Sequence, residues 1–181
     1  MGARQLDNIP HYTYDDYKIW EGKWEIIYGV AYAMSPAPMI EHQSISSKIA
    51  WQLKNILDEC EKCRSLLPVD WKISEDTVVQ PDNLVICHEP KNKAYLTQAP
   101  EIIFEILSKA TASKDKNLKF KLYEEEGVRY YILVDPQDKV AKVYGLMNGK
   151  YIKICDAVEE KVGFYLKACD KTLEFDFSKI W

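Results

Sequence analysis

No apolar run in this 181-residue chain reaches the roughly 18 residues that a membrane-spanning helix needs. The opening residues, Met1-Gly2-Ala3-Arg4-Gln5-Leu6-Asp7-Asn8, have no apolar core of the kind a secretory signal carries. The expectation is a cytoplasmic protein that meets no membrane. Internal repeats, low-complexity tracts and linkers are also missing, and the length suits one well-buried domain better than two. We read 1–11 as an N-terminal extension and 12–181 as a single domain. An excess of positive charge is missing too, since the formal net charge is −4. Whole-chain charge therefore does not advertise nucleic-acid binding, although it averages over local patches.

An even cysteine count is likewise absent. The five are Cys60, Cys63, Cys87, Cys155 and Cys169. Without an export signal they are expected to be reduced thiols rather than a disulfide framework. Cys60-Glu61-Lys62-Cys63 has the two-residue gap of a zinc knuckle, yet no second pair follows at a useful spacing. Cys87-His88 is the one complement the sequence offers, and a structural zinc site normally needs four ligands. The pair also ends a helix instead of opening one after a strand, which speaks against a redox role.

What is present is an ordinary globular composition, with 47% hydrophobic and 29% charged residues. Twelve tyrosines and five tryptophans argue against disorder. Residues 12–22 read as a short helix with Thr13 as N-cap and Gly22 as stop. Residues 24–28 and 30–34 read as strands joined tightly at Gly29. From 40 to about 60, apolar residues recur at Ile45, Ile49, Leu53, Ile56 and Leu57, the period of an amphipathic helix. Strands follow at 66–72, 83–87 and 101–107. A second helix spans 113–126 and stops at Gly127. More strands come at 129–134, 140–146 and 151–154, with a hairpin turn at Met147-Asn148-Gly149-Lys150, and one or two short strands fill 168–175. This order describes an α/β (α+β) protein with one central mixed sheet flanked by helices.

Three ionisable groups stand out against that background. Asp82 follows Pro81 and opens the apolar run Asn83-Leu84-Val85-Ile86-Cys87. Glu105 interrupts the run Ile102-Ile103-Phe104-Glu105-Ile106-Leu107, where a carboxylate is costly to bury without a partner. If the two strands are neighbours, both acids share one sheet edge and can offer oxygen ligands to a divalent cation. Lys119 lies on the second helix, at i+4 from Asp115 and i−4 from Tyr123, so it shares their face. Its ammonium can follow a phosphate oxygen or polarise a water. The stretch 109–121 holds Lys109, Lys114, Lys116, Lys119 and Lys121 against the single acid Asp115, a local basic patch able to attract a phosphate backbone. The plainer readings are a turn-capping role for Asp82, an Asp115–Lys119 surface pair, and a solvated lysine face. A metal-free hydrolase using Asp82 and Glu105 as acid and base also fits two carboxylates, but leaves the lysine without a task.

In order along the chain come Trp24-Glu25-Ile26-Ile27-Tyr28-Gly29, Ser35-Pro36, His42, Pro81-Asp82, Pro100, Phe104-Glu105-Ile106-Leu107-Ser108, and Asp115-x-x-x-Lys119-x-x-x-Tyr123-x-x-x-Gly127-Val128. This set resembles the Uma-type restriction-endonuclease family, bacterial members of the PD-(D/E)XK nuclease superfamily, from about Tyr12 to Tyr144. The resemblance implies a restriction endonuclease-like fold and Mg²⁺-dependent cleavage of DNA, with Mn²⁺ as a substitute metal. It implies Asp82 and Glu105 as metal ligands and Lys119 as the charge-stabilising group. The superfamily lysine usually lies two residues after the second acid, where this chain has Leu107, so Lys119 takes that part from the following helix. Glu25 matches an acid that can complete the metal shell, and its plainer reading is a strand-edge acid. His42, Lys121 and Lys109 are supporting candidates. A homodimer is expected from the habit of such nucleases of pairing to cut both strands. Two segments depart from the family pattern: Ser108-Lys109-Ala110-Thr111 places an added cation near the site, and Tyr130-Tyr131-Ile132 changes a packing segment. The alternative function is a non-cleaving nucleic-acid-binding or accessory protein on the same fold.

Overall fold

The computed structural model describes residues 10–34, 39–108 and 114–181, leaving aside the side chains of 114–116. In chain order the elements are α1 (Tyr14–Tyr17), β1 (Trp24–Ile27), β2 (Val30–Ala33), α2 (Ile40–Ile56), β3 (Arg64–Leu66), β4 (Trp71–Ser74), β5 (Thr77–Val79), β6 (Asn83–Ile86) and β7 (Ile102–Ile106). A π-helical segment (Lys114–Lys119) runs into α2's counterpart on the other face, α3 (Phe120–Glu125). Then come β8 (Tyr130–Asp135), β9 (Val140–Met147), β10 (Lys150–Ala157), β11 (Lys161–Leu166), β12 (Lys171–Asp176) and a 3₁₀ turn (Phe177–Lys179).

The central sheet has the order β10-β9-β8-β7-β6-β3 and is mixed: β7 and β8 are parallel, and the other neighbours are antiparallel. A four-stranded antiparallel sheet, β2-β1-β5-β4, and the hairpin β11-β12 complete the strands. Because side chains alternate across a strand, β7 sends Ile102, Phe104 and Ile106 to one face and Ile103 and Glu105 to the other. The first face packs with α2 (Ile45, Ile49, Leu53) and with Phe164 and Phe175 of the β11-β12 hairpin. The second packs with Ile27 and Val79 of the small sheet and with Leu122 and Tyr123 of α3. The central sheet is therefore covered on both sides.

Local chemistry explains the main junctions. Asn148 (φ 52°) and Gly149 (φ 77°) form the two-residue left-handed turn that fits the twist of the β9-β10 hairpin. Tyr28 and Gly29 make the equivalent turn between β1 and β2, where a Cβ on Gly29 would fall 2.2 Å from the His11 ring. Thr13 caps α1 in a capping box with Asp16.

Several boundaries differ from the sequence reading. The strand expected at 66–72 is broken by Pro68, which cannot donate within a ladder, and its halves β3 and β4 join different sheets. Strands β5 and β11 were not anticipated. The alternating burial of Val162, Phe164 and Leu166 in β11 was readable, but three exposed residues interleave with them. The helix expected over 113–126 divides into the π-helical segment and a six-residue α-helix. The N-terminal extension, apart from its last two residues, and Ser35-Pro36 lie outside the described residues.

Candidate active site

Antiparallel pairing of β6 and β7 matches Asn83 with Phe104 and Leu84 with Ile103. Continuing that register by one step sets Asp82 across from Glu105. Asp82 also joins the edge of β7 directly, its Oδ2 accepting the Ile106 N–H at 2.8 Å. Pro81, itself buried, precedes it where a strand tolerates proline, at its start. The two carboxylates, 23 positions apart in sequence, thus arrive at one end of the central sheet.

The parallel pairing of β7 with β8 carries the third group to the same place. Parallel neighbours need a crossover of a dozen or more residues, and this crossover contains the π-helical segment and α3. Lys119 ends the π-helical segment, a local widening of the helix often found at functional sites. Its Nζ donates to Glu105 Oε1 at 2.9 Å and lies 2.7 Å from Glu25 Oε1. Tyr123, one turn on, donates its hydroxyl to the same Glu105 Oε1 at 2.8 Å. The Gln80 N–H donates to Glu25 Oε1 at 2.9 Å.

These are no surface ion pairs. Glu25 is 0%, Lys119 2% and Glu105 3% exposed, and among the described residues they are the only buried charged side chains. A buried carboxylate or ammonium left alone costs several kcal/mol, so each of the three depends on the others. Glu25 is consequently far from the strand-edge acid its plainer reading suggested. It comes from the small sheet and shares the Lys119 ammonium with Glu105. The stack of Trp71 on Tyr123 (centroids 5.7 Å apart) and the edge contact of Tyr123 with Tyr131 (5.1 Å) fix the phenol that holds Glu105.

The remaining candidates divide clearly. His42, in the first turn of α2, brings Nε2 to 3.3 Å from Asp82 Oδ2, with both side chains mostly buried. Lys121 points away, 73% exposed, with Glu125 at 3.7 Å. Lys109 lies outside the described residues, as does the Asp115 side chain. Sequence reasoning overlooked Gln80, whose backbone holds Glu25 and whose side chain donates to Asp70 Oδ1 (2.7 Å) and the Tyr17 hydroxyl (3.0 Å). Its place directly before Pro81-Asp82 was the one clue. Burial and the neighbouring Asp70 carboxylate push the Tyr17 phenol well above its ordinary value, keeping it neutral in this network.

A model of the Uma2 family, described as "Putative restriction endonuclease", matches residues 14–159. The chain belongs to the Uma2 family. Among solved structures it is similar to one from Anabaena variabilis described as "a putative nuclease belonging to DUF820", with a TM-score of 0.76, 18% identity, and coverage of 93% of this chain and 96% of that one. No curated protein matches it. At that identity the likeness speaks for the fold, and the fold is restriction endonuclease-like: a central mixed sheet with few helices. The Uma2 chain's paired acids, one directly before β6 and one on β7, with the lysine on the crossover that follows, are built into that sheet's end.

Proposed function

We propose that this Uma2 protein is a Mg²⁺-dependent DNA endonuclease that hydrolyses phosphodiester bonds with water. The observation that carries the reading is the convergence of Asp82, Glu105 and Lys119 at one end of the central sheet. Asp82 and Glu105 supply hard oxygen donors of the kind Mg²⁺ takes, and Mg²⁺ commonly uses only one or two protein carboxylates, completing its shell with water and phosphate. Charge supports the same fit. Two carboxylates, Glu25 and Glu105, share the one Lys119 ammonium, and Asp82, bound to the Ile106 N–H beside Glu105, adds a third, which in ionised form leaves two negative charges for a divalent cation to balance. Mg²⁺, or Mn²⁺ in its place, would supply Lewis acidity at the scissile phosphate and a bound water of lowered pKa.

The chain's own residues have separate tasks. Asp82 and Glu105 hold the ion. Lys119 stabilises charge that develops on the phosphate, as a preorganised cation in a dry site does. Glu25 and Tyr123 are positioning residues: Glu25 shares the ammonium with Glu105, and Tyr123 holds the carboxylate that Lys119 also touches. His42 orients Asp82 from the start of α2. DNA is the substrate, and two copies acting together would cut both strands.

The test is cleavage of supercoiled, linear and single-stranded DNA with Mg²⁺ and with Mn²⁺. Wild type is expected to cut, and folded Asp82→Asn and Glu105→Gln variants are expected to lose cleavage by at least a hundredfold. Calorimetric Mg²⁺ titration should show binding in wild type and none in either variant. DNA that is bound but left intact with both metals would instead establish the non-cleaving alternative.

A further inference from the structure

The cysteines form a second cluster, in which Cys87 follows β6 at the end away from Asp82. Cys60 and Cys63 lie in the turn that follows α2, where the Cys63 N–H donates to the Cys60 carbonyl at 3.1 Å. Cys63 immediately precedes β3, and Cys87 immediately follows β6. Since Arg64 pairs with Ile86, the same register sets Cys63 opposite Cys87. Cys169 comes from the turn between β11 and β12. The sulfurs of Cys60, Cys63 and Cys169 all lie within 4.8 Å of one another, and Cys87 brings its sulfur against that of Cys63. The Cys60–Cys169 and Cys63–Cys87 pairs each stand at disulfide-bonding distance, where the sequence reading expected reduced thiols. Cys155 alone stands apart.

We propose that Cys60, Cys63, Cys87 and Cys169 form a tetrathiolate site for a structural Zn²⁺ ion. Two independent disulfides would account for the pairs 60–169 and 63–87, but would give no reason for the pairs to touch. Yet Cys63 Sγ lies 3.4 Å from Cys169 Sγ, across the two pairs. Four thiolates around one zinc, each at about 2.3 Å, hold their sulfurs about 3.8 Å apart. The Cys63–Cys87 Cα separation of 4.0 Å is below the usual disulfide range of about 4.4–6.8 Å. Cys60-x-x-Cys63 has the spacing by which a tight turn presents two thiolates to one metal. Cys60 and Cys63 are 4% and 7% exposed, so the ion would be shielded on that side. Soft sulfur donors favour zinc over magnesium, so this site and the acidic one select different ions.

The consequence is mechanical. One ion would tie the end of α2, the β3 edge of the central sheet and the β11-β12 hairpin, three segments that otherwise meet only through apolar packing and a few polar contacts. Binding requires all four thiols to release their protons. Cys155 has no part in it, and burial with nearby acids raises its thiol pKa.

Three measurements on the full chain, purified without added chelator, decide the matter. Metal analysis is expected to find about one zinc per chain, lost from Cys60→Ser and Cys87→Ser but kept in Cys155→Ser. Alkylation in denaturant with a chelator should modify all five cysteines. Stripped protein should take up one Co²⁺ and develop the thiolate-to-cobalt charge-transfer band of a tetrahedral sulfur site, a readout in wild type that does not depend on whether the serine variants fold. Metal-free protein with a single alkylatable thiol would overturn the proposal in favour of two disulfides. Zinc retained by Cys60→Ser, or reduced protein that takes up no Co²⁺, would overturn it equally.

Discussion

The two faces of the central sheet handle polarity in opposite ways. On the α2 face the buried polar side chains Ser46, Asn83 and Gln52 are neutral and hydrogen-bonded to each other or to backbone. The Ser46 hydroxyl donates to Asn83 Oδ1 at 3.0 Å, Asn83 Nδ2 donates to the Ser46 carbonyl at 3.2 Å, and Gln52 exchanges two bonds with the Asp176 backbone. On the face toward the small sheet and α3, three full charges are buried together. Neutral hydrogen-bonded pairs fasten an interface at modest net gain, about 0.5–1.5 kcal/mol each. A buried ion cluster is often no better for stability than well-packed hydrophobic residues. Its presence on one face only is what the proposed active site on that face would require.

The sharpest way to test this contrast is to remove the shared cation. Lys119→Met leaves Glu25 and Glu105 buried against each other and is expected to destabilise the fold by about 3–5 kcal/mol, measured by denaturant unfolding. Replacing all three charges together (Glu25→Gln, Lys119→Met, Glu105→Gln) is expected to cost much less than the single change. A triple variant as unstable as Lys119→Met would show that the cluster serves stability after all. Tyr123→Phe removes one hydrogen bond to the Glu105 carboxylate and should cost about 1.5–3 kcal/mol, with cleavage reduced further than binding of DNA. On the opposite face, Ser46→Ala leaves Asn83 short of a donor and should cost about 1–2 kcal/mol with cleavage unchanged.

The smallest effects come from two neighbours at the end of α3. Glu124 accepts from Lys150 Nζ and from the Tyr151 N–H, both at 2.7 Å, and these hold its carboxyl below its ordinary value of 4.5. A lowered folded value means that its contribution is present above pH 4.5 and is lost as pH falls through the folded value. Glu126 has the opposite sign: although its side chain is exposed, partial desolvation first, then the Glu125 charge, raises its carboxyl above 4.5. It therefore disfavours the fold at neutral pH. Glu126→Gln should raise stability at pH 7 by less than about 0.5 kcal/mol, and the gain should vanish in acid, whereas Glu124→Gln should lower stability at pH 7 and flatten the acid limb. Thermal unfolding across pH 3–8 reads both.

Much of the fold was legible because it rests on local periodicity. The 3.6-residue spacing of Ile45, Ile49 and Leu53 announced α2, and Asn148-Gly149 announced the β9-β10 turn. Asp82 and Glu105 were conspicuous because a carboxylate in an apolar run needs an explanation. The same reasoning failed where the explanation lay elsewhere in the chain. Nothing near Glu25 shows that it meets Lys119, because that contact depends on the small sheet folding across the central one. The four cysteines were harder still. Cys63 and Cys87 meet through an antiparallel register, and Cys169 arrives through a hairpin more than a hundred positions from Cys60, so no motif spacing could include it.

Composition and pattern by themselves determined the α+β class, most of the helices and strands, and which acids would be expensive to bury. Those properties depend on each residue's own solvation and on neighbours one helical turn or one strand step away. The tertiary structure alone decided which charges neutralise one another and which sulfurs share a point in space. Long-range pairing brings these groups together, and electrostatic attraction and metal-ligand geometry act over ångströms of space, not along the chain.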